Sequence, residues 1–317
     1  MSIDRISTAA QTSYFLSQIQ RAGSALDQTQ EQIASGKNSN TYAGFGDQTQ
    51  MLTATIAAKG RIGAYTTATK FATTQVDLQD TQLTSLSNLV ASLKKAVGDA
   101  VSNNDASGLM GQAQNIFDEA SAILNSKDAN GDYIYSGGKT DVAPITAGTL
   151  SALQGMPSVA SAFANGNMQK SVQVADGVTV NYGMTASDVG TSLMQALKDI
   201  ADFDASAGNS FSTNLTSAQN SFLTGAIAQI TSVASDVNAA TAANGYVSNR
   251  LDDAQGQQTS MTTLYKGFVS NIQDTNMAQA ATQLSLNQTQ LQAALQVTAG
   301  LHQLSLLNYL PSTGVTG

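Results

Sequence analysis

Proline occurs at three positions in this 317-residue chain: Pro144, Pro157 and Pro311. Proline lacks a backbone N–H and clashes with the preceding helical turn, so it breaks helix interiors. Its scarcity leaves about 140 residues at the front and about 150 at the back free to form long helices. The segment that holds Pro144 and Pro157 is richer in glycine and differs in character from both flanks.

Both flanks carry heptads. Thr8, Thr12, Phe15, Ile19, Ala22, Leu26, Thr29 and Ile33 alternate steps of four and three, the spacing of a stripe that packs against another helix. Thr and Ala dilute the stripe, so this helix is expected to be marginal alone. It is predicted to end near Ser35-Gly36-Lys37, and "NSNTYAGFGDQ" then breaks the pattern at Gly44 and Gly46. A second helix is predicted over residues 48–103, with Leu83, Leu86, Val90, Leu93 and Val97 as its apolar positions, and a third over 106–126. Towards the end, helices are predicted over 212–254 and 257–309. The first has Leu223, Ile227, Ile230 and Val233 on one face. In the second, Met277, Ala281, Leu284, Gln288, Leu291 and Leu295 repeat the four-and-three step. The two terminal stripes are most simply buried against each other or against neighbouring copies.

The middle, residues 141–211, reads differently. "SVQVADGVTVNYG" alternates apolar and polar residues on both sides of Asp176-Gly177, a hairpin signature. "SDVGTSLMQALKDI" follows as a short amphipathic helix with Ser187 as a candidate N-cap. The expected fold is mainly α. It is a long antiparallel helical bundle or coiled coil from both chain ends, with a small α+β insert containing a β-hairpin. Three parts are expected: a terminal coiled-coil assembly domain (1–40 plus 275–317), a helical core domain (41–140 plus 212–274) and an outer insert (141–211).

Charge narrows the function classes. Only 11% of residues are charged, against roughly 25% in ordinary globular domains. Gln, Asn, Ser, Thr and Ala stand in their place, and such a surface is easily desolvated against a copy of itself. Net charge is −8, and the 14 Lys and Arg form no run, which argues against nucleic-acid binding. With no Cys, the chain has neither disulfides nor thiolate metal sites. The first residues lack the basic and continuous apolar regions of a secretory signal. No stretch of about 18 apolar residues is present to cross a bilayer, so membrane insertion is not expected.

One stretch invites a catalytic reading. "GDYIYSGGKT" ends in Gly138-Lys139-Thr140, but a phosphate-binding loop needs a glycine five places before Gly138, where Tyr133 stands. The loop must also open a helix, and Pro144 biases the following residues away from one. The stretch reads instead as a turn at Asn130-Gly131, an extended piece through Tyr133 and Tyr135, and a glycine turn. His302 is the one histidine, too few for a zinc site or a Ser-His-Asp triad. Asp252-Asp253 beside Arg250 reads as a solvated helix face. No catalytic, cofactor or metal site is expected.

"ALDQTQEQIASGKNSN", "IQDTNMAQAATQL", the Asn249-Arg250-Leu251 step and the closing Leu304-Ser305-Leu306-Leu307 together resemble the bacterial flagellin superfamily at both chain ends. With the adjoining helices the resemblance covers about half of the chain. Within it, "NGDYIYSGGKTDVAPI" is similar to the Asn-Gly-x-Tyr-Ile-Phe-x-Gly-x-Lys-Thr-x-x-x-Pro-Phe run of the hook-associated protein 3 branch, and the hairpin looks like that branch's small outer domain. Two features depart from the branch: "YAGFGDQ" replaces an Asp-Asp-Pro-like turn, and "PSTGVTG" extends the end. The resemblance implies a structural subunit of the flagellum at the hook–filament junction, with the main filament subunit, flagellin, as the alternative. A non-flagellar coiled-coil scaffold or signalling protein is a more distant one. It also implies copies of itself, hook-associated protein 1 type proteins and flagellin as partners, together with an export chaperone. It implies type III export without a cleaved signal peptide and an extracellular location. The assembly residues expected on the terminal heptads are Phe15, Ile19, Ala22, Leu26 and Ile33 in front, and Met277, Leu284, Leu291 and Leu295 behind.

Overall fold

The computed structural model describes the backbone of residues 2–307 and the side chains of residues 10–300. The side chains of Thr8, His302 and the Leu304–Leu307 run, and the whole tail from residue 308, lie outside the described residues. The chain is mainly helical: α1 (Ser2–Ser35), a 3-10 turn (Tyr42–Gln48), α2 (Thr49–Asn103), α3 (Leu109–Leu124) and α4 (Leu150–Gln154). A hairpin of β1 (Lys170–Ala175) and β2 (Val178–Tyr182) follows, then α5 (Ala186–Ala205), α6 (Ser217–Gln273) and α7 (Met277–Leu307).

The long helices start and stop where the local chemistry directs. Thr216 and Gln219 cap α6 reciprocally: Gln219 N donates to Thr216 Oγ1, and Thr216 N donates to Gln219 Oε1. Asn276 Oδ1 accepts from the amides of Ala278 and Gln279 and so starts α7. Gly36, at φ +68°, ends α1 in the left-handed conformation that suits a residue without a Cβ. Along α2, the hydroxyls of Thr53, Thr55, Thr66, Thr69 and Thr73 donate to carbonyls four residues earlier. Hydroxyls spent on their own backbone turn a nominally polar helix surface into a partly apolar one.

Two expectations are corrected. The predicted break between residues 254 and 257 is absent, and α6 runs through Gly256 to Gln273. An isolated helical glycine costs only about 1 kcal/mol relative to alanine, less than the continuous helix recovers. The break falls instead at Asp274–Asn276, where a cap is available. The second correction concerns α5. Its N-cap is Thr185, not Ser187, because Thr185 and Asp188 form a reciprocal capping box.

The chain divides into two compact units, with boundaries inside α2 and α6. Unit 1 comprises residues 1–60 and 263–317, and unit 2 residues 61–262. Unit 2 holds an apolar core in which Leu83, Leu86, Val90, Leu93 and Val97 of α2 meet Phe117 of α3, Leu193 and Leu197 of α5, and Leu223, Ile230 and Val233 of α6. Ile145, Leu150 and Leu153, from the segment carrying α4, join the same core. The hairpin is antiparallel, with Val172 opposite Val180. Its buried face, Val172, Val174, Val180 and Tyr182, packs with Ala72, Val76 and Leu251. Gln258 Nε2 donates to Val174 O at 2.8 Å and to Thr69 Oγ1 at 2.9 Å, tying strand and helices together.

Candidate functional site

The first and last helices come together in unit 1. α1 and α7 pack against each other. Thr275 N donates to Gly36 O at 2.9 Å, and Asn38 N donates to Gln273 O at 2.7 Å. Further along, Asn287 Nδ2 donates to Ala25 O at 3.1 Å and to Thr29 Oγ1 at 2.9 Å. Moving forward along α7 therefore means moving backward along α1, so the helices are antiparallel.

On α1 the seam is the heptad series read from the sequence. Thr12, Phe15, Ile19, Ala22, Leu26 and Ile33 are half-buried, and Thr29 is buried. On α7 the seam is Ala280, Leu284, Asn287, Leu291, Ala294 and Thr298. Leu284 and Leu291 belong to the predicted stripe. Met277 and Leu295 are less buried than that seam: each is 49% exposed, and Ala281 and Gln288 are exposed too. The most apolar stripe of α7 is thus not its packed stripe. The packed one takes Ala280, Asn287 and Ala294 at intervals of seven, small or short side chains that let helices approach closely. Those residues escaped the sequence reading, and the seven-residue recurrence of small side chains was the signal for them.

The pair leaves apolar surface outside the seam. Tyr14 and Leu16 on α1, and Met277, Leu286, Leu295 and Val297 on α7, are each about half exposed or more. Exposed apolar side chains on a helix pair are what a subunit needs if neighbours complete its core.

The turn below the pair is polar. Asn38 Nδ2 donates to Ile272 O at 3.0 Å, Thr275 Oγ1 to Asn38 Oδ1 at 3.1 Å, and Gln32 Nε2 to Asn38 O at 3.0 Å. These bonds join the end of α1 to the α6–α7 turn. An open groove of about 630 Å³ beside them is lined by Gln32, Asn38, Thr275, Asn276, Gln279 and Gln283. Amides and hydroxyls with no titratable group give this groove nothing for acid–base or nucleophilic chemistry.

The Gly-Lys-Thr stretch lies in unit 2. Ser136 is buried, and its carbonyl accepts from Gly166 N at 2.8 Å and from Lys139 N at 3.3 Å. Gly137 has φ +62°, and a Cβ there would stand 2.6 Å from Gly166 O. Lys139 Nζ donates to Ala164 O at 3.2 Å. No helix opens behind Thr140, and the next is α4 at Leu150. The glycines serve a tight turn against residues 164–168. Asp252 and Asp253 are exposed on α6. Among the described residues no cluster of His, Asp or Glu could hold a metal ion, and no helix is long and apolar enough to cross a membrane.

Comparison with known proteins bears on this arrangement. Residues 223–310, spanning most of α6 and all of α7, match the family described as the bacterial flagellin C-terminal helical region. The chain is 31% identical over 93 residues to flagellar hook-associated protein 3 of Escherichia coli, covering 28% of this chain and 29% of that protein. It is 29% identical over 96 residues to flagellar hook-associated protein 3 of Salmonella typhimurium, covering 29% and 30%. The matched stretch spans under a third of these curated relatives. A solved Vibrio parahaemolyticus structure, described as a flagellar hook-associated protein, has the same fold. Its TM-score is 0.57 at 21% identity, over 71% of this chain and 97% of that one.

Proposed function

We propose that this chain, whose C-terminal helices are of the bacterial flagellin type, is a structural subunit of the flagellum that assembles through its terminal helices at the hook–filament junction. One observation carries the reading. The helix that bears the flagellin-type match is the one that pairs with α1 while holding Met277, Leu286, Leu295 and Val297 out to solvent. Both curated relatives are hook-associated proteins 3, and neither is named a flagellin.

On this reading Phe15, Ile19, Ala22, Leu26, Ile33, Leu284 and Leu291 close the terminal pair, while Met277 and Leu295 meet neighbouring subunits. The neighbours are copies of itself, hook-associated protein 1 type proteins and flagellin. The role is structural rather than catalytic. A weakly apolar terminal pair suits a chain held partly unfolded by an export chaperone. Such a chain orders outside the cell, when neighbours supply the missing buried surface.

Removing residues 1–35 tests this. Both apolar clusters of unit 2 lie between residues 72 and 251, so the shortened chain keeps its cooperative thermal transition. It loses incorporation into flagella. Normal incorporation without α1 would refute the assembly role of the terminal pair.

A further inference from the structure

Among the described residues, the most enclosed place in the terminal helix pair is held by an amide. Asn287 is 3% exposed and Thr29 4% exposed, whereas Phe15, Ile19, Leu26, Leu284 and Leu291 are only half-buried. Asn287 Nδ2 spends both hydrogens on α1, donating to Thr29 Oγ1 at 2.9 Å and to Ala25 O at 3.1 Å. Its Oδ1 accepts from Gln283 Nε2 at 2.8 Å. Thr29 Oγ1 in turn donates to Ala25 O at 2.8 Å. The amide is partnered at both its nitrogen and its oxygen, and two of its three partners come from the opposite helix.

The apolar part of the seam does not fix register by itself. Leu284 and Leu291 stand seven apart, as do Ile19 and Leu26, Ala22 and Thr29, or Leu26 and Ile33. A slip of one heptad exchanges one such residue for another at little cost. The amide is different. Seven residues either side of Thr29 stand Ala22 and Gly36, and neither offers a side-chain acceptor. In a slipped pair Asn287 would be buried with a donor unmet, a penalty of roughly ten- to a hundredfold in population.

We infer that Asn287, acting with Thr29, selects the register of the terminal pair and its choice of partner helix. A single buried polar residue sets register in coiled coils by this means. The pair formed is the one in which α7 meets a helix carrying a hydroxyl at the position of Thr29, as the chain's own α1 does. This rests on the reading of the terminal helices as an assembly surface, but its test runs on the purified chain and does not require a flagellum.

The chain has no cysteine, so introduced pairs report register without background. Ala22→Cys with Leu291→Cys reads the observed register. Ala22→Cys with Leu284→Cys or Thr298→Cys reads slips in either direction. Under mild oxidation the parent should form only the first bridge. With Asn287→Leu added, the slipped bridges should rise about tenfold or more, while the melting temperature of the terminal pair rises instead of falling. Thr29→Val should also release the slip, and Thr29→Ser, which keeps the hydroxyl, should not. If Asn287→Leu prevents pairing altogether, Thr29→Val is read in the same assay. A single register retained in both Asn287→Leu and Thr29→Val overturns the inference. So does slipped bridging in the parent, or no bridge at all. Failure of assembly on removing residues 1–35 depends on none of these outcomes, so the two claims fail separately.

Discussion

Tyr135 is fully enclosed in the core of unit 2, and that burial raises its hydroxyl pKa well above the usual tyrosine value. Tyr182 is raised in the same direction, by burial first and then by the negative charge of Asp128. A raised folded-state pKa means stability that is intact while both states are protonated and lost as pH climbs. An unfolded tyrosine titrates near pH ~10. Above that point the unfolded chain releases a proton the folded chain retains, and stability falls by about 1.4 kcal/mol per pH unit for one such group. Thermal melts of the parent between pH 9 and pH ~11 should therefore show a steep alkaline decline. Tyr135→Phe should make it shallower without removing it, because Tyr182 remains. An unchanged slope in the variant would contradict this assignment. The sequence placed Tyr135 on an extended piece leaving a helix and identified the glycine turn after it. It carried no sign that the ring is enclosed. Alternation along the chain reports which face a side chain takes, but burial depends on Leu150, Leu193 and their neighbours arriving from elsewhere.

The helices themselves were legible because proline is nearly absent and capping residues are frequent. α2 falls where the apolar spacing placed it, and α1 ends at Gly36 as its composition indicated. On α7 the expected stripe divides between two surfaces for a physical reason. Leu284 and Leu291 enter the seam, where close helix packing favours Ala280 and Ala294 beside them, while Met277 and Leu295 stay half exposed. This separates two roles that a heptad count merges, and single substitutions divide them. Leu284→Ala or Leu291→Ala should destabilise the terminal pair by about 1 kcal/mol, as expected for half-buried leucines. The effect should appear as faster amide hydrogen exchange in α1 and α7. Leu295→Ala should leave that exchange unchanged and weaken assembly between subunits. Equal effects of Leu284→Ala and Leu295→Ala on exchange would remove the distinction between an inner seam and an outer face.

At the scale of the whole molecule, the first and last helices pair, and the hairpin of the central segment is anchored to helices of its own unit. Low charge fits both. Threonine hydroxyls bonded back to α2 carbonyls offer less free polarity, and few charges need desolvating when such surfaces meet. The central claim is that this chain joins filament to hook. It is tested most directly by deleting its gene and examining cells and medium by electron microscopy and protein blotting. The account predicts hooks without filaments and filament protein released into the medium, both restored by the full chain and not by one lacking residues 1–35. Normal filaments on the deletion strain would contradict it. So would loss of filament mass with the junction proteins still in place, the result expected of a flagellin.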